Sequence, residues 1–284
     1  MTQIKVVGYE TGKAHTNEIV KAMLHSVQGE FLSIAEFNEM GLARADLVVI
    51  SGILRGPGLV FKACQQAKQD FLFIDHAYFL KGYGHPTWMR ITKNRHVGPT
   101  STGHTSERFD KYFSQYKFLP WQGNKDGHVL LLPPTNAMEW LCDAQNWVED
   151  SIAQIKKYTN KKIIVRAKPD NPHVDHLGNL VRMESYKPPI PLTEEIKGAY
   201  AVIAYNSNAA SEATQMGVPV ICAEHCPIYP ITYKFSDLTT GEAFVKEPPR
   251  QQLFYDLAHG QYTIEEMRNG APLQDCIFSK GTSS

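Results

Sequence analysis

The chain has 284 residues, 43% of them hydrophobic and 11% aromatic, which excludes a disordered protein and leaves room for two modest α/β domains or one large one. Lys plus Arg and Asp plus Glu number 29 each, so no global field recruits nucleic acid or membrane, and any such partner must be held by a local patch. Five scattered cysteines without a CxxC pair, no charged-then-apolar leader and no bilayer-length apolar run lead us to expect a soluble cytoplasmic protein with reduced core thiols.

Residues 4–8 (IKVVG) read as a buried opening strand, followed by the turn YETGK and a helix over about 16–26. The Gly-Lys pair lacks the Walker spacing, so Gly8 and Gly12 are read as making a sharp strand-to-helix turn. A strand at 46–51 (DLVVIS), a turn with Gly52, Gly56, Pro57 and Gly58, a helix over about 59–68 and a strand at 71–75 (FLFID) continue an alternation that predicts a parallel sheet. Asp75 and His76 end that strand on the side where open α/β sheets carry their sites. Asp75 is the first candidate for a general base, His76 its neighbour and His104 the reserve. The competing roles are structural, Asp75 capping a turn and His76 packing.

From 78 to 105, glycines and prolines break this rhythm around a strand-like piece at 88–92 (WMRIT). The stretch from 81 to 111 is the most basic part of the chain. Arg90, Lys93 and Arg95 would neutralise phosphates, and Tyr83 and Trp88 would stack on a base drawn from a duplex. The alternative is a solvated basic surface.

A polar stretch at 121–127 marks a boundary, after which come a strand at 128–132 (HVLLL), one long helix over about 136–157 and a strand at 163–166. Arg166 and Lys168 stand at the end of that strand and suit a diphosphate if it is parallel and adjacent to the strand before Asn206; otherwise they are a surface pair. His173, Asp175 and His176 have no further ligand cluster at a zinc-like spacing and read as a solvated loop. The stretch 200–222 (YAVIAYNSNAASEATQMGVPVIC) reads as a buried strand, a polar turn at Asn206, Ser207 and Asn208 capping a short small-residue helix, a Gly217 C-cap and a second strand. Glu212 lies in that helix. The tail from 248 to about 270 reads as helical.

YNSNAASEATQMGVPVI resembles the donor-binding motif of GT-B glycosyltransferases, particularly the capsular-polysaccharide and phage or prophage types. IIVRAKPD upstream and LAHGQYTIEEMRNG downstream resemble the same families, so the likeness covers the C-terminal half best. It implies an α/β, GT-B-like fold, two Rossmann-like parallel-sheet domains facing an interdomain cleft. The divisions would be 1–124 on the acceptor side, 125–247 for the nucleotide sugar and a helical tail at 248–284 packing across the junction. It further implies a nucleotide-sugar co-substrate such as UDP-glucose, no essential metal, and donor contacts from Arg166, Lys168, Tyr205, Asn206, Ser207, Asn208, Glu212 and His225. Joined to the basic loop, it points to an acceptor hydroxyl on a 5-hydroxymethylpyrimidine of bacteriophage double-stranded DNA. A bacterial surface polysaccharide or its precursor is the competing acceptor, and an epimerase or a non-catalytic nucleotide-sugar-binding protein the competing classes.

Overall fold

The computed structural model describes residues 4–80, 88–121 and 124–278. In chain order the elements are β1 (Val6–Tyr9), α1 (Ala14–His25), β2 (Glu30–Leu32), α2 (Ile34–Met40), β3 (Leu47–Ser51), α3 (Pro57–Ala67), β4 (Phe71–His76), β5 (Trp88–Lys93) and α4 (Glu107–Phe113). They continue with β6 (His128–Leu132), α5 (Asn136–Cys142), α6 (Trp147–Tyr158), β7 (Ile163–Val165), β8 (Asp170–Val174), β9 (Leu180–Ser185), α7 (Leu192–Lys197), β10 (Ala199–Ala204), α8 (Ala209–Gln215) and β11 (Val220–Cys222). The chain closes with α9 (Arg250–His259), β12 (Gln261–Thr263), α10 (Ile264–Arg268) and α11 (Ala271–Leu273). Two compact units result, one of residues 1–102, 174–180 and 256–284, the other of residues 103–173 and 181–255.

In the first unit β2, β1, β3 and β4 lie side by side and parallel, and β5 and β12 extend the sheet antiparallel. Ile19, Val20, Met23 and Leu24 put one apolar face of α1 against Val6, Val49, Leu72 and Ile74. Gly8 lets that helix close on the sheet, since a Cβ there would meet Val20 at 2.6 Å. On the other face Phe61 of α3 meets Phe71 and Phe73 edge-on at 5.1 and 5.3 Å. Helices therefore cover both faces, the doubly wound arrangement that buries every central strand.

The second unit has its own sheet, β7-β6-β10-β11, parallel throughout. Its core joins Val129, Leu131, Ala201 and Ile203 to Ile155 of α6, Tyr200 and Phe244. With the parallel strands of each sheet numbered along the chain, both sheets have the order second, first, third, fourth. The expected α/β class with two Rossmann-like parallel sheets is what the chain adopts.

The strand-like piece at 88–92 is β5, paired with β4 over 89–93 and with β12 over 88–90. Three elements differ from expectation. The helix expected over 136–157 is broken in two, because Asp143 takes a left-handed conformation (φ 53°) as the C-cap of α5. The polar segment before 191 holds a two-stranded hairpin, β8 with β9. The tail is not wholly helical, since β12 joins a sheet before a Thr263–Glu266 capping box opens α10.

The seven-residue helix α8 is held from its C-terminal end. Arg250, 3% exposed, donates from Nη1 to the carbonyls of Thr214 (2.9 Å) and Gln215 (3.2 Å) and from Nη2 to Leu119 O (2.6 Å). Its Nε bonds Glu247 at 2.7 Å, and its plane lies 5.3 Å from the Phe118 and Trp121 rings. Gly217 (φ 81°) follows, where a Cβ would come 2.1 Å from Pro120 O. Replacing Arg250 with Ala removes three hydrogen bonds to carbonyls and leaves Glu247 without its partner, so we expect a stability loss of about 3 kcal/mol, read from the urea midpoint. Lys should recover only part of it, lacking the planar fork; an unchanged midpoint in the Ala variant would refute the clamp.

Candidate functional site

In an open α/β sheet, ligands gather at the carboxyl ends of strands where the strand order changes direction. In the second unit that point lies between β6, which leads to β7 on one side, and β10, which leads to β11 on the other. The register aligns Leu132 with Ala204 and Ala204 with Cys222, so the turns after β6, β10 and β11 emerge at one edge.

After β10 the chain turns through Tyr205, Asn206, Ser207 and Asn208 into α8. Ser207 Oγ accepts the Ala209 N–H at 3.1 Å, so the hydroxyl provides a cap as its residue type suggests. Asn208, the N-cap residue itself, makes no side-chain cap bond, contrary to the expectation that all three side chains hold the helix amides. Glu212 is half-buried in the first turn of α8.

The ring of Tyr205 meets Trp147 edge-on at 5.4 Å and lies 35° from the plane of His225 at 5.3 Å. Trp147 is available because the helix breaks just before it. A long uninterrupted helix hid it from sequence reasoning, although the polar run from Asp143 to Asn146 carries the signal of a break. Burial holds the His225 imidazole below its ordinary value, only partly opposed by Glu224 at 3.6 Å, so the ring is neutral at pH 7. Burial also pushes the Tyr205 phenol up, reinforced by the neighbouring Cys142 side chain.

Tyr205, Asn206, Ser207, Asn208, Glu212 and His225 thus share one edge, and two expected partners do not join them. Arg166 Nη1 is taken by Glu195 at 2.5 Å and by Ile190 O at 2.9 Å, with both charged side chains about nine-tenths covered. Lys168 is exposed, but it follows β7, and β6 stands between β7 and β10. The two strands are parallel but not adjacent, which puts about 10 Å between their ends.

The residues proposed for proton transfer lie in different units, Asp75 and His76 in the first and His104 in the second. Asp75 is not an open carboxylate. Register sets it directly opposite Arg90, whose guanidinium binds it at 2.6 Å, and His96 lies 3.8 Å away. Burial by itself would raise its pKa, but Arg90, His76 and His96 together hold it down to about 2, too weak a base for efficient proton abstraction near neutrality. His76 is exposed, and the carbonyl of half-buried His104 accepts from Gln252 at 3.0 Å.

The acceptor-side residues need a similar correction. Arg90 and Trp88 are 4% and 7% exposed within β5, so neither is presented to a phosphate or a flipped base. Lys93 pairs with Asp70 at 3.4 Å, and Arg95, though exposed, donates to the Pro99 carbonyl. Tyr83 lies outside the described residues. Among the described residues no group of three or more His, Cys, Asp or Glu could hold a metal ion; His173 instead bonds Glu184 across the hairpin at 2.6 Å. No described helix is long and apolar enough to cross a membrane.

No protein-family model matches the chain, and no curated protein does. Among solved structures it is similar to two from Thermosulfurimonas dismutans. One is a KpsC β-Kdo 2,4-transferase, 13% identical with a TM-score of 0.49, covering 93% of each chain. The other is a KpsC β-Kdo 2,7-transferase, 15% identical with a TM-score of 0.45, covering 97% of this chain and 100% of the other. A Listeria monocytogenes protein described as a UDP-N-acetylglucosamine 2-epimerase is 12% identical, with a TM-score of 0.28 over 98% of each chain. These likenesses are loose, and what this chain does is read from its own residues.

Because the folded pKa of Asp75 lies below the ordinary 3.8, its contribution is complete above about pH 4 and is lost as pH falls toward 2. The depression corresponds to roughly 2 kcal/mol. Chemical denaturation at stepped pH should show that loss in the native protein and a flatter, lower curve for Asp75→Asn. Matching curves would mean the pair contributes nothing.

Proposed function

We propose that the chain is a glycosyltransferase that takes its sugar from a nucleotide-sugar donor bound at the β6/β10 edge of the second unit. The observation that carries this is the meeting, at the point where the strand order reverses, of a polar turn, a carboxylate and an aromatic group. Glu212 would accept hydrogen bonds from ribose or sugar hydroxyls. Asn206, Ser207 and Asn208 would bind the diphosphate or sugar through amide and hydroxyl groups. The neutral ring of His225, 30% exposed at its side chain and backed by Tyr205, offers a flat face to a nucleobase. With Arg166 committed to Glu195 and Lys168 two strands away, neutral donors would meet the charge that builds on the leaving diphosphate. UDP-glucose is the first donor to try, without added metal.

Asp75, whose carboxylate is occupied by Arg90, is set aside as the base for the acceptor's proton. Hydroxymethylated DNA loses support as the acceptor, because Trp88 and Arg90 are buried. A surface polysaccharide or its precursor is the acceptor class we retain.

Glu212→Ala should weaken nucleotide-sugar binding by roughly tenfold or more while the protein stays folded, as the loss of charged hydrogen bonds implies. Calorimetric titration against a panel of uridine, cytidine and guanosine diphosphate or monophosphate sugars would measure it, and equal affinity in wild type and variant would remove Glu212 from the site. Donor turnover without an acceptor would indicate an epimerase, and binding without turnover a non-catalytic protein.

Hydroxymethylcytosine-containing duplex should not be retained at physiological salt, and mass spectrometry of its nucleosides should show no added sugar. A hexose mass on the modified base would overturn the acceptor choice and restore DNA.

A further inference from the structure

The β8–β9 hairpin is unevenly covered. β8 is the inner strand: Asn171 Oδ1 accepts the Asn136 N–H at 2.8 Å at the start of α5, and Pro172 has no N–H to offer a further strand. β9 is the outer one. Every residue from Val181 to Ser185 is exposed, and among the described residues β9 pairs with β8 alone. Val181 and Met183, 66% and 51% exposed, share one face by the alternation of a strand, and Arg182 and Glu184 share the other. Six of the ten exposed large apolar side chains among the described residues fall between 165 and 190, which marks this segment and no other as an uncovered apolar surface. No Pro or Gly interrupts β9, and its two charges are of opposite sign, so they do not guard the edge against an identical strand.

We propose that β9 is a self-association surface, pairing antiparallel with β9 of a second copy of this chain about a two-fold axis through Met183. In that register Arg182 faces the partner's Glu184 and Glu184 faces the partner's Arg182, so two opposite-charge cross-strand pairs form at once. On the other face Met183 meets its own copy, and Val181 lies opposite the partner's Ser185. Charge selects this arrangement over its competitors. A parallel, in-register pair would set Arg182 beside Arg182 and Glu184 beside Glu184, and a slip by one residue would set Met183 opposite a charge. Glu184 is already oriented for the contact, because His173 Nε2 holds its Oε2 at 2.6 Å and leaves Oε1 for the partner's guanidinium. Arg182, more than half exposed, lies 3.9 Å from Glu184 of its own chain, too far for a hydrogen bond that would compete. The product is a four-stranded antiparallel sheet, β8-β9-β9-β8, which gives an exposed two-stranded hairpin the neighbours it lacks. Because the contact is isologous it closes at two copies. The pairing does not rest on the donor-site reading above.

Sedimentation velocity of the full chain from about 5 to 500 μM tests this, a span set by the small area that one strand pair buries. The expected result is a monomer–dimer equilibrium with a dissociation constant on the order of tens of micromolar. Hydrogen–deuterium exchange over 180–186 should slow at the upper end of the range. Glu184→Arg and Arg182→Glu each turn both cross-strand pairs into repulsions and should weaken the dimer by roughly tenfold. Combined, the two substitutions again set opposite charges face to face and should recover most of the affinity, which also shows that neither unfolds the chain. A monomer throughout the range, which is what an edge kept for a different protein's strand predicts, would overturn the proposal. So would assembly beyond two copies, a dimer indifferent to both single substitutions, or no recovery in the double variant.

Discussion

The buried guanidinium of Arg250 is the constraint on which the second unit depends. A seven-residue helix of mostly small side chains is not stable by itself, so α8 exists because its neighbours hold it. Arg250 does this by occupying the last carbonyls of α8 while bonding Leu119 O and lying beside Phe118 and Trp121. Cations at a helix C-terminus also complement its dipole. The position of Glu212 and of the polar turn at the other end of α8 follows from that clamp.

The two units share a strand order but carry different chemistry at their strand ends. In the first, the end of β4 is closed by the Asp75–Arg90 pair, which antiparallel β5 places in register. Such a partly buried pair gains little net stability over apolar packing, but removing one partner leaves an uncompensated charge. In the second, the strands of the β7-β6-β10-β11 sheet are all parallel, and the turns after β10 and β11 keep polar groups at the surface. That contrast is why the binding chemistry is read in the second unit.

Within that edge the aromatic and sulfur groups are coupled through one short loop. Tyr205 touches Trp147 and His225, and Cys226 Sγ lies 3.9 Å from the Ser207 carbonyl. A neutral imidazole packed on a phenol presents polarizable surface without a competing charge, suited to a planar, uncharged ring. Any displacement of residues 223–226 moves the imidazole and the turn carbonyl together.

Much of this protein is determined by its sequence alone. Apolar runs such as VVIS and HVLLL, glycine-punctuated turns and the polar residues of 206–208 specify parallel strands, alternating helices and the location of the polar edge, because these are local signals. Tertiary structure decided what depends on partners distant in the chain. Arg90, in a stretch that reads as basic loop, is buried because β12, from the far end of the chain, pairs β5 on its outer side. Arg166 serves Glu195, not a ligand, because α7 brings a carboxylate against it. Lys168 is remote from Asn206 because β6 inserts between their strands, and strand order is a property of nonlocal pairing that no residue spacing encodes.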